Sequence, residues 1–112
     1  MRVKTNELSG STLDWAVAVA EGAVWATWRF IEAYENGEMN YQKDWAQGGP
    51  IIERERICVT ATPSAHWDAR TIDYPPRYIS GQTPLIAAMR CYVASKLGDE
   101  VEVPVELLGE TK

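Results

Sequence analysis

Asp44-Trp45-Ala46-Gln47-Gly48-Gly49-Pro50-Ile51-Ile52-Glu53-Arg54-Glu55 is the stretch on which the reading of this chain turns. It gathers a large aromatic, a carboxylate, an amide, a double glycine and a proline into one short segment. Glycine admits backbone conformations closed to other residues, and proline suits the first position of a helix. The expectation is a rigid corner. Gly48 and Gly49 make a bend, Pro50 opens a helix of one or two turns through Arg56, Asp44 and Gln47 hydrogen-bond the loop, and Trp45 plugs the core. The same geometry has a second use, because glycine amides exposed at a helix N-terminus would accept a small anion or a partner's carboxylate. No strand-Gly-x-Gly or Gly-Lys-Ser/Thr context surrounds the glycines, which argues against a nucleotide-phosphate loop.

The clearest boundary lies further on, at Thr83-Pro84. A capping hydroxyl, a proline at the first position, an apolar run and Gly98 past Lys96 and Leu97 predict a helix over 84–97. Its wheel carries bulky residues on one side (Tyr92, Leu85, Met89) and small ones on the other (Ala87, Ala94, Cys91), so it is expected to pack on both sides. An earlier helix is expected from Ser11 to Glu21, capped by a serine and stopped by Gly22, with Asp14 in its first turn and on a polar stripe with Glu21.

Asn36-Gly37 between Phe30-Ile31-Glu32-Ala33-Tyr34 and Met39-Asn40-Tyr41 reads as a hairpin turn, since both positions favour positive φ. Strands are expected over 57–62 and 101–103, from β-branched content and alternation. The proline-bearing stretch 63–81 reads as a long surface loop with a short strand near Arg77 to Ile79. A polar tail is expected from about residue 105.

Composition narrows the function classes. A chain of 112 residues with 46% hydrophobic content and 24% charged residues has the size and apolar content of one folded domain. Its five Trp are expected to dominate the core or mark a contact surface. The formal charge of -5 repels phosphate backbones and anionic lipids, so nucleic acid and membrane surfaces are not the expected partners. The charges Asp14, Glu21 and Arg29 interrupt the apolar run over 13–31, which excludes it as a transmembrane helix. Cys58 and Cys91 form no disulfide framework and no metal-ligand pair, which fits two free thiols in a reducing cytoplasm. The N-terminus turns polar at Asn6 and Glu7, unlike a signal peptide.

Candidate reactive groups are sparse. His66 with Asp68 lacks the ligand number of a metal site, and no nucleophile-elbow pattern accompanies a Ser or Cys. Glu53 and Glu55 alternate with Arg54 and Arg56; the carboxylates would serve as acid and base only if their surroundings separated their pKa values. Arg90 is the one charge between Thr83 and Ser95, so its guanidinium calls for a carboxylate or carbonyl partner, with Glu53, Glu55 or Asp44 expected to pair with it. Arg70, Tyr74, Arg77 and Tyr78 interleave basic and aromatic groups as single-strand nucleic-acid grooves do, but the acidic balance weighs against that use.

Three blocks, Leu13-Asp14-Trp15-Ala16-Val17-Ala18, the stretch from Asp44 to Glu55, and Pro84 through Gly98-Asp99, resemble the NinX family of lambdoid bacteriophages. They cover somewhat under half the chain. The resemblance implies a phage or prophage protein working in a bacterial cytoplasm, and implies no particular reaction. The segments 23–43 and 58–79 depart from the family's pattern, so no contact is carried over to them.

The reading is a single α+β domain in which a small, mostly antiparallel sheet is packed by two main helices. The expected function is a non-enzymatic accessory protein that binds a host or phage protein, without cofactor or metal. Its candidate surface is Asp44, Trp45, Gln47, Gly48, Gly49, Glu53 and Arg90, together with the 58–79 loop, Trp25 and Trp67. The alternative is a small-molecule-binding or hydrolytic enzyme with a pocket between the Gly48-Gly49 turn and Arg90. The sequence leaves a homo-oligomer open.

Overall fold

The computed structural model describes residues 1–23, 27–72 and 78–108. Expectations for Trp25, Tyr74 and Arg77 therefore lie outside the described residues. The chain is α+β, as its sequence suggests, and its described residues form four helices and two small antiparallel sheets.

The first sheet has two strands, β1 (Arg2–Lys4) and β5 (Glu100–Glu102), joined antiparallel. The register sets Arg2 opposite Glu102, Lys4 opposite Glu100 and Val3 opposite Val101. Two opposite-charge pairs on the wet face and one valine pair turned inward account for its alignment. The second sheet has the order β2 (Cys58–Ala61), β3 (Trp67–Arg70), β4 (Ile79–Gly81), all antiparallel. The expected single sheet is thus two. The sequence around Trp67 carries the alternation of a strand, with half-buried Trp67 and buried Ala69 on one face and Asp68 and Arg70 on the other. The stretch read as a loop thus holds two strands, the unexpected β3, which forms a hairpin with β2, and β4, close to the short strand expected near Ile79.

The four helices are α1 (Gly10–Ala20), α2 (Thr27–Glu35), α3 (Trp45–Glu55) and α4 (Pro84–Leu97). Helix α4 starts as expected: the Thr83 hydroxyl accepts from the Ile86 amide at 3.1 Å, Pro84 follows, and Gly98 (φ 93°) closes it. It packs against the three-stranded sheet on one side and α1 and α3 on the other. That position buries Leu85, Ala87, Ala88, Met89, Cys91, Tyr92 and Val93 and explains why both its faces are apolar.

The expected hairpin at Asn36-Gly37 is instead the end of α2. Gly37 takes φ 80°, its amide donates to the Tyr34 carbonyl at 3.1 Å, and the Glu38 amide donates to the Ala33 carbonyl at 2.8 Å. This is the helix-ending arrangement that glycine favours one residue past the cap. Helical spacing was present in the sequence: Phe30 and Tyr34, four apart, stack with ring centroids 6.1 Å apart.

The core runs through both sheets and all four helices, from Leu8 and Leu13 through Phe30, Ile51 and Ala69 to Met89 and Val101. It also includes Leu107, fully buried in a 3-10 turn (Val105–Leu107), whose carbonyl accepts from the Ser11 hydroxyl at 3.4 Å. Residues 105–108 are thus anchored rather than a polar tail. Among the described residues no helix is long and apolar enough to cross a membrane.

Candidate functional site

Helix α3 begins five residues earlier than the proline suggests. Asp44 is its N-cap, accepting from the Ala46 amide at 2.9 Å and from Gln47 Nε2 at 3.2 Å, while Gln47 Oε1 accepts from the Asn40 amide at 2.8 Å. The side chains of Asp44 and Gln47 thus lock the entry to the helix, as read from the sequence. Gly48, Gly49 and Pro50 lie inside it, which overturns the expected bend and the exposed glycine amides at a helix start. Pro50 is tolerated because the carbonyl it leaves without a helical donor belongs to Ala46, on the exposed side. Arg56, at φ 56°, ends the helix.

The two glycines have different duties. Gly48 is buried against the Tyr41 carbonyl and Leu85; a Cβ there would sit 2.5 Å from that oxygen and 2.6 Å from Leu85 Cδ1. Gly49 faces outward, and a Cβ there would meet only the Trp45 ring, 3.9 Å away at Cε3. Trp45 is 54% exposed rather than a core plug, because Ile51 and Gly48 take the inward face and leave its ring lying along the outer one. Trp28 on α2 is exposed as well, at 65%, whereas Trp67 is half-buried.

Arg90 does not pair with Glu53, Glu55 or Asp44. Its Nε donates to the Leu8 carbonyl at 2.8 Å and its Nη1 to the Ser80 carbonyl at 3.0 Å, tying the N-terminal segment to β4. Burial lowers its pKa, yet a guanidinium stays charged at neutral pH. Gly48 and Arg90 therefore meet different partners, and the space beside Gly48 is filled by Leu85. Replacing Arg90 by Met leaves the Leu8 carbonyl without its donor and is expected to cost about 2 kcal/mol. Chemical denaturation of Arg90→Met and Arg90→Lys checks this: the lysine variant keeps one donor and should recover part of the loss, whereas equal stability of all three proteins would contradict it.

Of the carboxylates flanking Arg54, Glu55 pairs with Arg54 itself, which also holds Glu21. Arg54 Nη2 meets Glu21 Oε2 at 2.6 Å and its Nε meets Glu55 Oε2 at 2.9 Å, while Lys96 Nζ lies 3.4 Å from Glu55. The buried Tyr92 hydroxyl donates to Glu21, and the Arg54 guanidinium lies over the Tyr92 ring, 5.6 Å from its centroid. Burial would raise the pKa of Glu21, but the Arg54 and Tyr92 donors outweigh it and hold the carboxyl below its ordinary value. The Arg54 donor likewise lowers Glu55. Glu53 is exposed.

The sequence did not disclose a second locked point. Asp14, 0% exposed, accepts from the Gln42 amide (3.1 Å) and from Gln42 Nε2 (3.2 Å), and Gln42 also bonds both polar groups of the Gly10 backbone. Asp14 thus faces inward instead of sharing a wet stripe with Glu21. Burial pushes its pKa up to about 6, against the lowering effect of the Gln42 donors and the Lys43 charge. His66 is exposed beyond the end of β2, and Cys58 and Cys91 are free thiols, that of Cys91 pushed up to about 11 by burial.

These observations define a small α+β protein whose third helix is fixed at its cap and core face and turns a tryptophan to solvent. The family model described as Bacteriophage P22, NinX matches residues 4–96, most of the chain. The protein belongs to that family and is a phage accessory protein. No curated protein matches it.

Proposed function

We propose that this phage accessory protein is a non-enzymatic binding module for a host or phage protein, acting in the bacterial cytoplasm, with Trp45 as the anchor of the contact. The observation that carries this reading is the Trp45 ring, 54% exposed on the outer face of α3. Large aromatic side chains held on rigid elements supply much of the affinity at protein interfaces, since burying them releases a large area at little entropic cost. Asp44 and Gln47 support the ring by fixing the first turn beneath it.

The test is co-purification of tagged chain from phage-infected cells, with every bound protein quantified for wild type and Trp45→Ala. Removing an exposed ring should leave the melting temperature near that of wild type. It should also lower the recovery of at least one specific partner about tenfold, the loss of a modest hot spot. A folded variant that retains every partner at the wild-type level would contradict the proposal.

A further inference from the structure

We propose that the free edge of β2 is a docking surface for a second copy of this chain, which lays its own β2 antiparallel against it and joins the two three-stranded sheets into one. The Thr62 amide donates to the His66 carbonyl at 3.0 Å, and the β2–β3 register continues from that pair through Thr60 opposite Asp68 to Cys58 opposite Arg70. Hydrogen-bonded pairs recur at every second residue of an antiparallel ladder, so the backbones of Cys58, Thr60 and Thr62 face β3. Those of Val59 and Ala61 face the other way. Among the described residues no strand pairs with them on that side.

The other strand edges are guarded. On β4 the register turns Ile79 and Gly81 toward β3 and leaves the backbone of Ser80 facing outward, where its carbonyl accepts from Arg90 Nη1 at 3.0 Å. The two-stranded sheet carries Arg2 and Lys4 on β1 and Glu100 and Glu102 on β5, and charge keeps a sheet edge from pairing with other chains. Strand β2 has neither safeguard. From Ile57 to Thr62 no residue is charged, and Ile57, Val59, Thr60 and Thr62 are β-branched. Uncharged segments of high β propensity are the ones that pair with copies of themselves.

The segment also fits itself. With Thr60 on a two-fold axis normal to the sheet, Val59 exchanges both backbone bonds with Ala61 of the second copy, and Ala61 with its Val59, so the outward groups of both residues are paired. Thr60, exposed in the single chain, then faces its own copy, and threonine pairs are favourable across strands. No like charges meet at the seam. On the face toward α4, Val59, already packed on the core, meets the exposed Ala61 of the copy, so the apolar layer continues across the axis. Both open edges are used, and the assembly closes at two. The seam is short, so the dimer is weak, with a dissociation constant on the order of 100 µM.

Sedimentation equilibrium of the full chain from about 10 µM to about 1 mM is expected to show the average mass rising from near that of the monomer to nearly twice it. Over the same range, amide exchange followed by NMR should slow about fourfold at Val59 and Ala61 and stay constant at Thr60, whose amide β3 already holds. Ala61→Pro removes an outward donor and no bond to β3, and Thr60→Lys sets like charges across the axis. Each should weaken the dimer at least tenfold, whereas Thr60→Val leaves it as in wild type. Thr60→Lys, at an exposed side chain, carries the test should the proline variant fail to fold. A monomer at every concentration, wild-type dimer affinity in a folded Ala61→Pro or Thr60→Lys, or exchange that slows elsewhere and not at Val59 and Ala61 would overturn the proposal.

Discussion

Gly48→Val is expected to destabilise the protein by about 4 kcal/mol, near the upper limit for a single substitution. The new side chain has no room, since even its Cβ would lie 2.5 Å from the Tyr41 carbonyl and 2.6 Å from Leu85 Cδ1. The leucine tip can move, but the backbone oxygen cannot without shifting the segment that leads into α3. Gly49→Ala, one residue along, should change stability in the opposite direction. Its Cβ meets only the Trp45 ring at 3.9 Å, and alanine in a helix interior is favoured over glycine by about 1 kcal/mol. At roughly 4 °C per kcal/mol for a domain of this size, thermal melting separates the two variants clearly. A Gly48→Val protein that melts with wild type would contradict the packing of α3 on α4.

That pair of residues also shows where reading the sequence reached its limit. Two adjacent glycines before a proline satisfy every local signal of a bend, and nothing local distinguishes them from a helix that needs a bare backbone at one contact. The requirement at Gly48 comes from Leu85, on another helix. Asn36-Gly37 failed in a different way: the glycine does adopt positive φ, but it ends a helix rather than joins two strands. The 30–34 spacing was the signal that favoured the helix. By contrast, Thr83, Pro84 and Gly98 act within their own turns, and α4 has the limits they predict. For Arg90 the need for a partner was legible and the partners were not, because they are carbonyls 82 and 10 residues away. The sequence points the Trp45 ring into the core for the same reason: which face of α3 turns inward is set by the neighbours it meets.

Raising the pH from about 3 to about 8 is expected to cost wild type about 3 kcal/mol relative to Asp14→Asn. The folded pKa of Asp14 is raised from 3.8 to about 6, with burial the dominant cause. A group raised in this way adds stability that is complete below its unfolded value and is lost as the pH climbs through the folded one. Above about 6 the fold must hold a bare carboxylate away from water, with neutral donors from Gln42 and the Tyr41 backbone in contact and Lys43 as the nearby charge. The asparagine variant sacrifices one Gln42 bond at every pH, so the difference in slope between the two profiles carries the information, not their offset. Denaturant unfolding across this interval checks the expectation. Parallel profiles would show that Asp14 does not titrate within the fold. Because Gln42 lies two residues before Asp44, the same latch fixes the segment from which α3 and its tryptophan start.

On the function proposed above, Trp45 meets its partner from a helix already in place. The most direct measurement is hydrogen exchange at the Trp45 indole N–H in the free chain and in the purified complex. Fast exchange is expected in the free protein, and at least about tenfold slower exchange once the partner covers the ring. Equal exchange rates in the two states would place the contact elsewhere.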